Sequence, residues 1–290
     1  MSKETEEKRN NKKLINAFIL FICLIFGVIF YARFVGVKGL FVREYRILNE
    51  KIPANFSGVK IVHISDLLYG STTNLEYVEK MVKKINELKP DIVVFTGGLI
   101  SDSYKIKNKE IKELSKLFSK IDSNIGKYSV KGNEDAREYE IIMNDSKFET
   151  LSNEGMFIYS KGITPIFIGG FADSIKDAIN IDSTFEILQN DPNQETYFKI
   201  ILMHEGDNTT KLLKQREDVD LILAGNSLNG SVIVPFYGGL YLPVGSKKYY
   251  DKYYKVGNTE IFVSGGLGTD TLSYRFNNHP SFNFYRLKSL

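Results

Sequence analysis

The chain opens on an unbroken apolar run. Leu14 to Ala32 reads LINAFILFICLIFGVIFYA and contains no charged residue. As a helix, its 19 residues reach about 28 Å, close to the ~30 Å hydrocarbon core of a bilayer. A secretory signal has a shorter apolar stretch followed by small residues at a cleavage site. Here Tyr31, Arg33 and Phe34 follow instead. The pattern predicts an uncleaved transmembrane signal-anchor over residues 14–36. The charged head before it, residues 1–13, has the composition of a disordered segment. Lys3, Lys8, Arg9, Lys12 and Lys13 flank one side of the run; Arg33, Lys38, Arg43 and Arg46 flank the other. That slight excess predicts a cytoplasmic head and an extracytoplasmic domain, in a single-pass protein of the cell membrane.

Residues 37–54 read as a linker to a domain over 55–290. From Val59 the hydrophobic pattern alternates between two periods. Val59–Ser65, Asp91–Thr96 and Gly126–Lys131 are short apolar runs of strand type. Between them, Leu75–Leu88 places Leu75, Val78, Val82, Ile85 and Leu88 at helical spacing, and Ile106–Ile121 is helical again. The later half is richer in strands: Phe157–Tyr159, Pro165–Gly170, Lys199–Met203, Leu221–Ala224, Ser231–Pro235, Glu260–Ser264 and a last one near Asn283–Leu287. Continuous apolar strands alternating with amphipathic helices predict an α/β layered fold. With no internal repeat, one domain of two packed sheets with flanking helices is the economical reading. Function in such sheets sits in loops at the carboxyl ends of the strands.

Composition narrows the function classes. Hydrophobic residues make up 43% and charged residues 25% of the chain, which is ordinary for a globular protein. A net charge of +3 with no basic block argues against nucleic acid as a partner. The one cysteine, Cys23, lies inside the apolar run, so no disulfide forms within the chain. Ile22 before it is not the small residue that lipid attachment at Cys23 would need.

The loops after the predicted strands read HISDLLYG (63–70), FTGGLISD (95–102), VKGNEDA (130–136), ILMHEGD (201–207) and LAGNSLNG (223–230). In order and spacing they resemble the calcineurin-like metallophosphoesterases, in particular their membrane-linked bacterial branch. That family carries S-D-x-H, T-G-D, G-N-H-[DE], a lone His after an apolar strand, and G-H-T-H-G-G. The resemblance continues through residues 235–269 and through RFNNHPSFNFYRLK (275–288). It implies a four-layer αββα sandwich of two mixed sheets, and two divalent metals about 4 Å apart that clamp a phosphoryl group and activate water.

Carried over by position, the implied site is incomplete. Asp66 matches the first Asp, Asn133 the Asn and His204 the lone His. Leu68 stands where the first His is expected, Gly98 where the metal-bridging Asp is expected, and Glu134 where the His acting on the leaving oxygen is expected. Asn226 and Leu228 replace both His of G-H-T-H. The remnant metal ligands are therefore Asp66, Asn133 and His204, with Asn226 as a further candidate. Neutral amides hold transition metals weakly beside imidazole or carboxylate. Of the other histidines, His63 reads as a packed sheet residue and His279 as a turn residue. Asp102, Glu134 and Asp135 are neighbouring carboxylates that offer Asp66 a partner for Mg²⁺ or Ca²⁺.

Two function classes stay open. One is a catalytically impaired pseudophosphoesterase that acts by binding, with no cofactor. Its candidate partners are an intact relative or a phosphate-bearing envelope ligand, with Lys247, Lys248, Tyr249, Tyr250, Lys252, Tyr253, Tyr254 and Lys255 as a sticky surface or a solvated hairpin. The other is a metal-dependent phosphoesterase with an altered site holding one weakly bound Mn, Mg or Ca ion.

Overall fold

The computed structural model describes residues 3–175, 177–269 and 272–290. Helix α1 runs from Lys3 to Phe34. The charged head expected to be disordered is instead continuous with the apolar helix, and the stretch Arg9–Phe34 is long and apolar enough to cross a membrane. The helix ends where Gly36 turns the chain away, with Val35 N and Gly36 N both donating to Tyr31 O.

In chain order the domain then builds β1 (Phe41–Asn49), β2 (Lys60–Ile64), α2 (Leu75–Glu87), β3 (Ile92–Phe95), α3 (Asn108–Phe118), β4 (Gly126–Ser129), α4 (Arg137–Asp145) and β5 (Glu149–Thr150). It continues with β6 (Glu154–Ile158), β7 (Ile166–Gly170), α5 (Ile181–Thr184), β8 (Lys199–Met203), α6 (Thr209–Leu213), β9 (Leu221–Ala224) and the short pair β10 (Ile233–Val234) and β11 (Gly238–Gly239). Strands β12 (Tyr253–Val256), β13 (Thr259–Val263) and β14 (Ser281–Ser289) close it.

Two six-stranded mixed sheets result, ordered β1-β14-β2-β3-β4-β5 and β12-β13-β9-β8-β7-β6. Alternation along each strand sorts the core into three layers. Ile61, Ile92, Val94, Ile168, Ile200, Leu202 and Leu223 fill the space between the sheets. Val62, Ile64, Val93 and Phe95 face Val78, Met81, Leu114, Phe118 and Tyr139 of the helices on one side. Ile201, Met203, Ile222 and Val263 face Ile181, Phe185, Leu188 and Leu212 on the other. This is the four-layer sandwich the resemblance implies. Strands buried on both faces are near-continuous apolar runs, which is why they are legible as such.

Helix α2 shows how local sequence sets an element. Asn74 caps it by accepting from Tyr77 N at 2.9 Å, and Val78, Met81, Val82 and Ile85 form its buried face.

The expected linker is corrected. Residues 41–49 pair in parallel with β14 from Phe41↔Ser281 to Asn49↔Ser289, so the domain begins at β1 and not at residue 55. Strand β14 in turn runs antiparallel to β2.

Candidate functional site

Loops leaving six strand ends meet at one edge of the two sheets. Asp66 follows β2, Gly97 and Gly98 follow β3, Gly132 and Asn133 follow β4, His204 follows β8, Asn226 follows β9 and Gly265–Gly268 follow β13. Backbone bonds lace them together: Asp66 N donates to Gly97 O at 2.8 Å, Leu68 N to Gly98 O at 3.0 Å, and Leu267 N and Gly268 N to Asp66 O. They enclose a cleft of about 340 Å³ lined by Asp66, Leu68, Gly98, Asn133, Glu134, His204, Asn226 and Leu228. Asp66, Asn133, His204 and Asn226 thus line one cleft, and Glu134 sits at its exposed rim.

The backbone of this cleft is left-handed both at Asp66, which keeps the expected residue, and at three positions that depart from the pattern. Asp66 (φ 48), Leu68 (φ 45), Asn226 (φ 66) and Leu228 (φ 51) all adopt the left-handed conformation. For a leucine this is uncommon and costly, and such strain concentrates at functional sites. The loops keep a shape that the leucines themselves do not favour.

Each polar group has identifiable work. His204 places Nδ1 2.6 Å from Thr96 O; a carbonyl only accepts, so Nδ1 carries a proton. The imidazole fits because Gly97 and Gly132 lack side chains: a Cβ on Gly132 would lie 2.8 Å from His204 Nε2. Burial pulls the His204 pKa down, but the charges of Asp66 and Glu205 and the bond to Thr96 outweigh it and leave it above its ordinary value. Asp66 is buried, and burial pushes its carboxyl up to about 6 against the opposing pull of His204. Its Oδ2 accepts from Asn226 N at 3.1 Å, across the sheets and not within its own turn.

The two amides are partly committed. Asn226 Nδ2 donates to Val244 O at 2.9 Å and to Ser246 Oγ at 3.1 Å, and Asn133 Nδ2 donates to Glu134 Oε1 at 2.7 Å.

Asp135, weighed above as a metal partner for Asp66, does something else. Its buried carboxylate accepts from Gly98 N (2.8 Å), Leu99 N (2.8 Å) and Gly132 N (2.9 Å). It pins the loops after β3 and β4 to each other. Burial raises its pKa, and these three amides work the other way.

Three residues outside the quoted loop positions complete the frame. Arg275 is fully buried and donates to Gly265 O and Gly268 O, holding the loop after β13. Burial lowers its pKa to about 10. Arg43, within the expected linker, sends its guanidinium to Asn229 Oδ1 and, at 2.7 Å, to Asn278 Oδ1; Asn278 Nδ2 in turn donates to Leu228 O. No signal in β1 alone points to this, because the partners lie far along the chain.

His63 and His279 lie away from the cleft. His63 bonds Tyr285 Oη at 3.2 Å and Thr96 Oγ1 at 2.9 Å, and burial lowers its pKa to about 3. His279 is half-buried against Phe41, ring centroids 5.1 Å apart. Of the lysine–tyrosine stretch, Tyr253, Tyr254 and Lys255 lie in the β12–β13 hairpin and residues 247–252 in the turns before it; Asp207 accepts from the backbone of Lys247, Lys248 and Tyr249, while Tyr249 is buried and Lys247, Lys248, Lys252 and Lys255 are exposed.

Gly98 is the critical position. It has φ +77, and an added Cβ would sit 2.8 Å from Asp66 Oδ1 and 2.9 Å from Asp66 Cα. Both the conformation and the space exclude a side chain as the loops stand. Gly98→Ala is expected to cost about 2 kcal/mol of stability, from the left-handed backbone and the displaced Asp66. Urea unfolding of the full chain in micelles, followed by circular dichroism, measures it; an unchanged midpoint would show that the loop accommodates a side chain.

A family profile for calcineurin-like phosphoesterases matches residues 59–230, and the chain belongs to that family. It is 32% identical over 270 residues, 89% of either chain, to the uncharacterized metallophosphoesterase YkuE of Bacillus subtilis. It is 23% identical over 210 residues to a transmembrane protein with metallophosphoesterase domain from Danio rerio, covering 66% of this chain and 47% of that one. To the UDP-2,3-diacylglucosamine pyrophosphatase LpxG of Chlamydia trachomatis it is 28% identical over 157 residues, covering 51% of this chain and 47% of the relative.

Proposed function

We propose that this chain is a membrane-anchored member of the family whose cleft binds a partner or ligand and does not hydrolyse phosphoesters. The observation that carries the reading is Gly98. The family's chemistry needs a carboxylate there to touch both cations and offset their repulsion. Glycine offers no donor, and the space a side chain would take is filled by Asp66. The other positions support it. Leu68 and Leu228 present apolar groups where donors are needed, and Asp135 spends its carboxylate on backbone amides. Among the described residues, no cluster of three or more His, Cys, Asp or Glu stands ready to hold a metal. A two-metal centre therefore does not fit these residues. The carboxyl of Asp66 and the imidazole of His204 interact favourably across the cleft, the charge of each favouring the charged form of the other.

A second reading has one observation in its favour. The bond from His204 Nδ1 to Thr96 O is the orientation that steadies a metal-ligating imidazole, leaving Nε2 for a single cation shared with Asp66. One experiment separates the two. The full chain is purified in detergent with Mn²⁺, Mg²⁺ or Ca²⁺ present, its metal content is measured by mass spectrometry, and turnover of a chromogenic phosphodiester is followed. The expected result is a metal content far below one per chain and no turnover above the protein-free rate. Near-stoichiometric metal with turnover abolished by Asp66→Ala would establish the single-metal hydrolase instead.

A further inference from the structure

The segment from Val232 to Val244 carries apolar side chains that have no place in the core. Strands β10 and β11 pair over only two positions, Ile233↔Gly239 and Val234↔Gly238. At the tip, Phe236 is fully exposed, and Tyr237, Leu240, Tyr241 and Val244 are each more than half exposed. Single exposed apolar residues are ordinary, but five within nine positions form a patch of the kind that marks an interaction surface. Phe236 also sits at φ 66, a strained conformation for an aromatic, so the turn presents the ring outward at an energetic cost.

Position identifies what the patch meets. The root of the hairpin is bridged to Phe276: Val232 pairs with it, and Ile233 N donates to Phe276 O at 2.9 Å. The Phe276 ring meets Tyr31 of α1 edge-on at 6.2 Å, and Arg275 N donates to Ala32 O at 2.9 Å. The hairpin thus springs from the residues that hold the last turns of the apolar helix. Phe236 lies four steps along the chain from Val232, a reach of at most about 14 Å.

Sheet topology agrees. Strand β1 starts at Phe41, soon after α1 ends at Phe34; β14 runs parallel to it and β2 antiparallel. The Asp66 end of β2 therefore lies at the edge where the chain leaves the helix. Tyr241, Pro243 and Val244 of the same segment line the cleft.

We propose that this hairpin is a second membrane contact. Phe236 and Leu240 enter the boundary of the acyl chains beside α1, while Tyr237 and Tyr241 sit at headgroup level, where an amphipathic ring is apolar on its body and wet at its hydroxyl. The contact seats the mouth of the cleft against the lipid headgroups, so that ligands reach it from the membrane surface. This rests on α1 spanning the bilayer, and the test checks that separately.

The chain contains no tryptophan, so a single introduced one reports its own surroundings. Phe236→Trp and, at an unstrained neighbouring position, Tyr237→Trp are compared with Ile163→Trp. Ile163 is also exposed, but its loop packs on Asn55 through the bond from Asn55 Nδ2 to Thr164 O, beyond the far end of β1. Each full-length variant is reconstituted into phosphatidylcholine–phosphatidylglycerol vesicles, with and without brominated acyl chains. Retention in the membrane after alkaline carbonate is confirmed first. The hairpin tryptophans are expected to lose most of their emission in brominated lipid and to resist aqueous acrylamide, and Trp emission from position 163 to do the reverse. A retained chain whose hairpin tryptophans are quenched by acrylamide and untouched by brominated lipid overturns the proposal; a protein partner in place of lipid gives the same result, since none is present. Release by carbonate overturns the helix reading and the hairpin contact with it.

Discussion

Asp135→Ala is expected to remove about 3–5 kcal/mol of stability, the largest effect of any single change at the cleft. Its carboxylate takes hydrogen bonds from Gly98 N, Leu99 N and Gly132 N, all inside the protein. Truncation leaves three buried backbone donors with no acceptor, and each lost partner costs on the order of 1–3 kcal/mol. Against this stands the relief of no longer burying a charge, which is why the total falls short of the sum. Asp135→Asn keeps one acceptor oxygen but turns an NH₂ toward an amide N–H, so an intermediate loss is expected. Thermal and urea unfolding of the full chain in micelles, followed by circular dichroism, measure both. If Asp135→Ala were as stable as the parent, the loops after β3 and β4 would not depend on this carboxylate. The role assigned to Asp135 would then be wrong.

Asp135 also shows where sequence reasoning stops. Its place beside Asn133 and Glu134 in KGNEDA makes it a plausible metal partner. Its actual role depends on the backbone of residues 97–99 arriving from another strand, and nothing local reports that. The same holds for β1. In FVREYRILN only Ile47 is buried, and Arg43, Glu44 and Arg46 dilute the alternation that marks a strand. Its partner is β14, at the other end of the chain. Edge strands with one buried residue and a distant partner look like linkers. The central strands are legible because both faces are buried, so their residue types are almost fixed. IVHI, IVVF, KIILM and LILA are examples.

The cleft residues were legible for a different reason. Spacing alone does not bring Asp66, Asn133, His204 and Asn226 together; the resemblance of the loops to a known family does. It could not show what replaced the missing ligands. Left-handed leucines at 68 and 228 and a closed space at Gly98 are properties of the backbone, and a substitution pattern does not reveal whether the backbone still has room for the old side chain.

The second large effect is a fall in stability on raising the pH. Burial lifts the Asp66 carboxyl to about 6 in the folded chain, against about 3.9 when unfolded. Between those values the folded chain keeps a proton that the unfolded chain has released, so stability declines as pH rises from about 4 to about 6. Two units of difference correspond to about 3 kcal/mol. His204 acts in the same direction: with its pKa above the ordinary value, its contribution is complete below about 6.5 and is lost as pH rises through the folded value. The two groups titrate as a pair, so the measured slope belongs to both. Asp218 has the opposite sign, because Arg216 and Lys199 overcome its burial and hold it at about 2; its contribution fades only as pH falls below the window considered. The comparison that isolates the effect is the parent chain against Asp66→Asn, unfolded by urea in metal-free buffer across pH 4 to 8. The difference between them should shift by about 3 kcal/mol against the parent as pH rises, and His204→Gln should remove the part above about 6.5. A pH-independent difference would mean that Asp66 is ionised throughout, with a stronger cationic partner than His204 beside it.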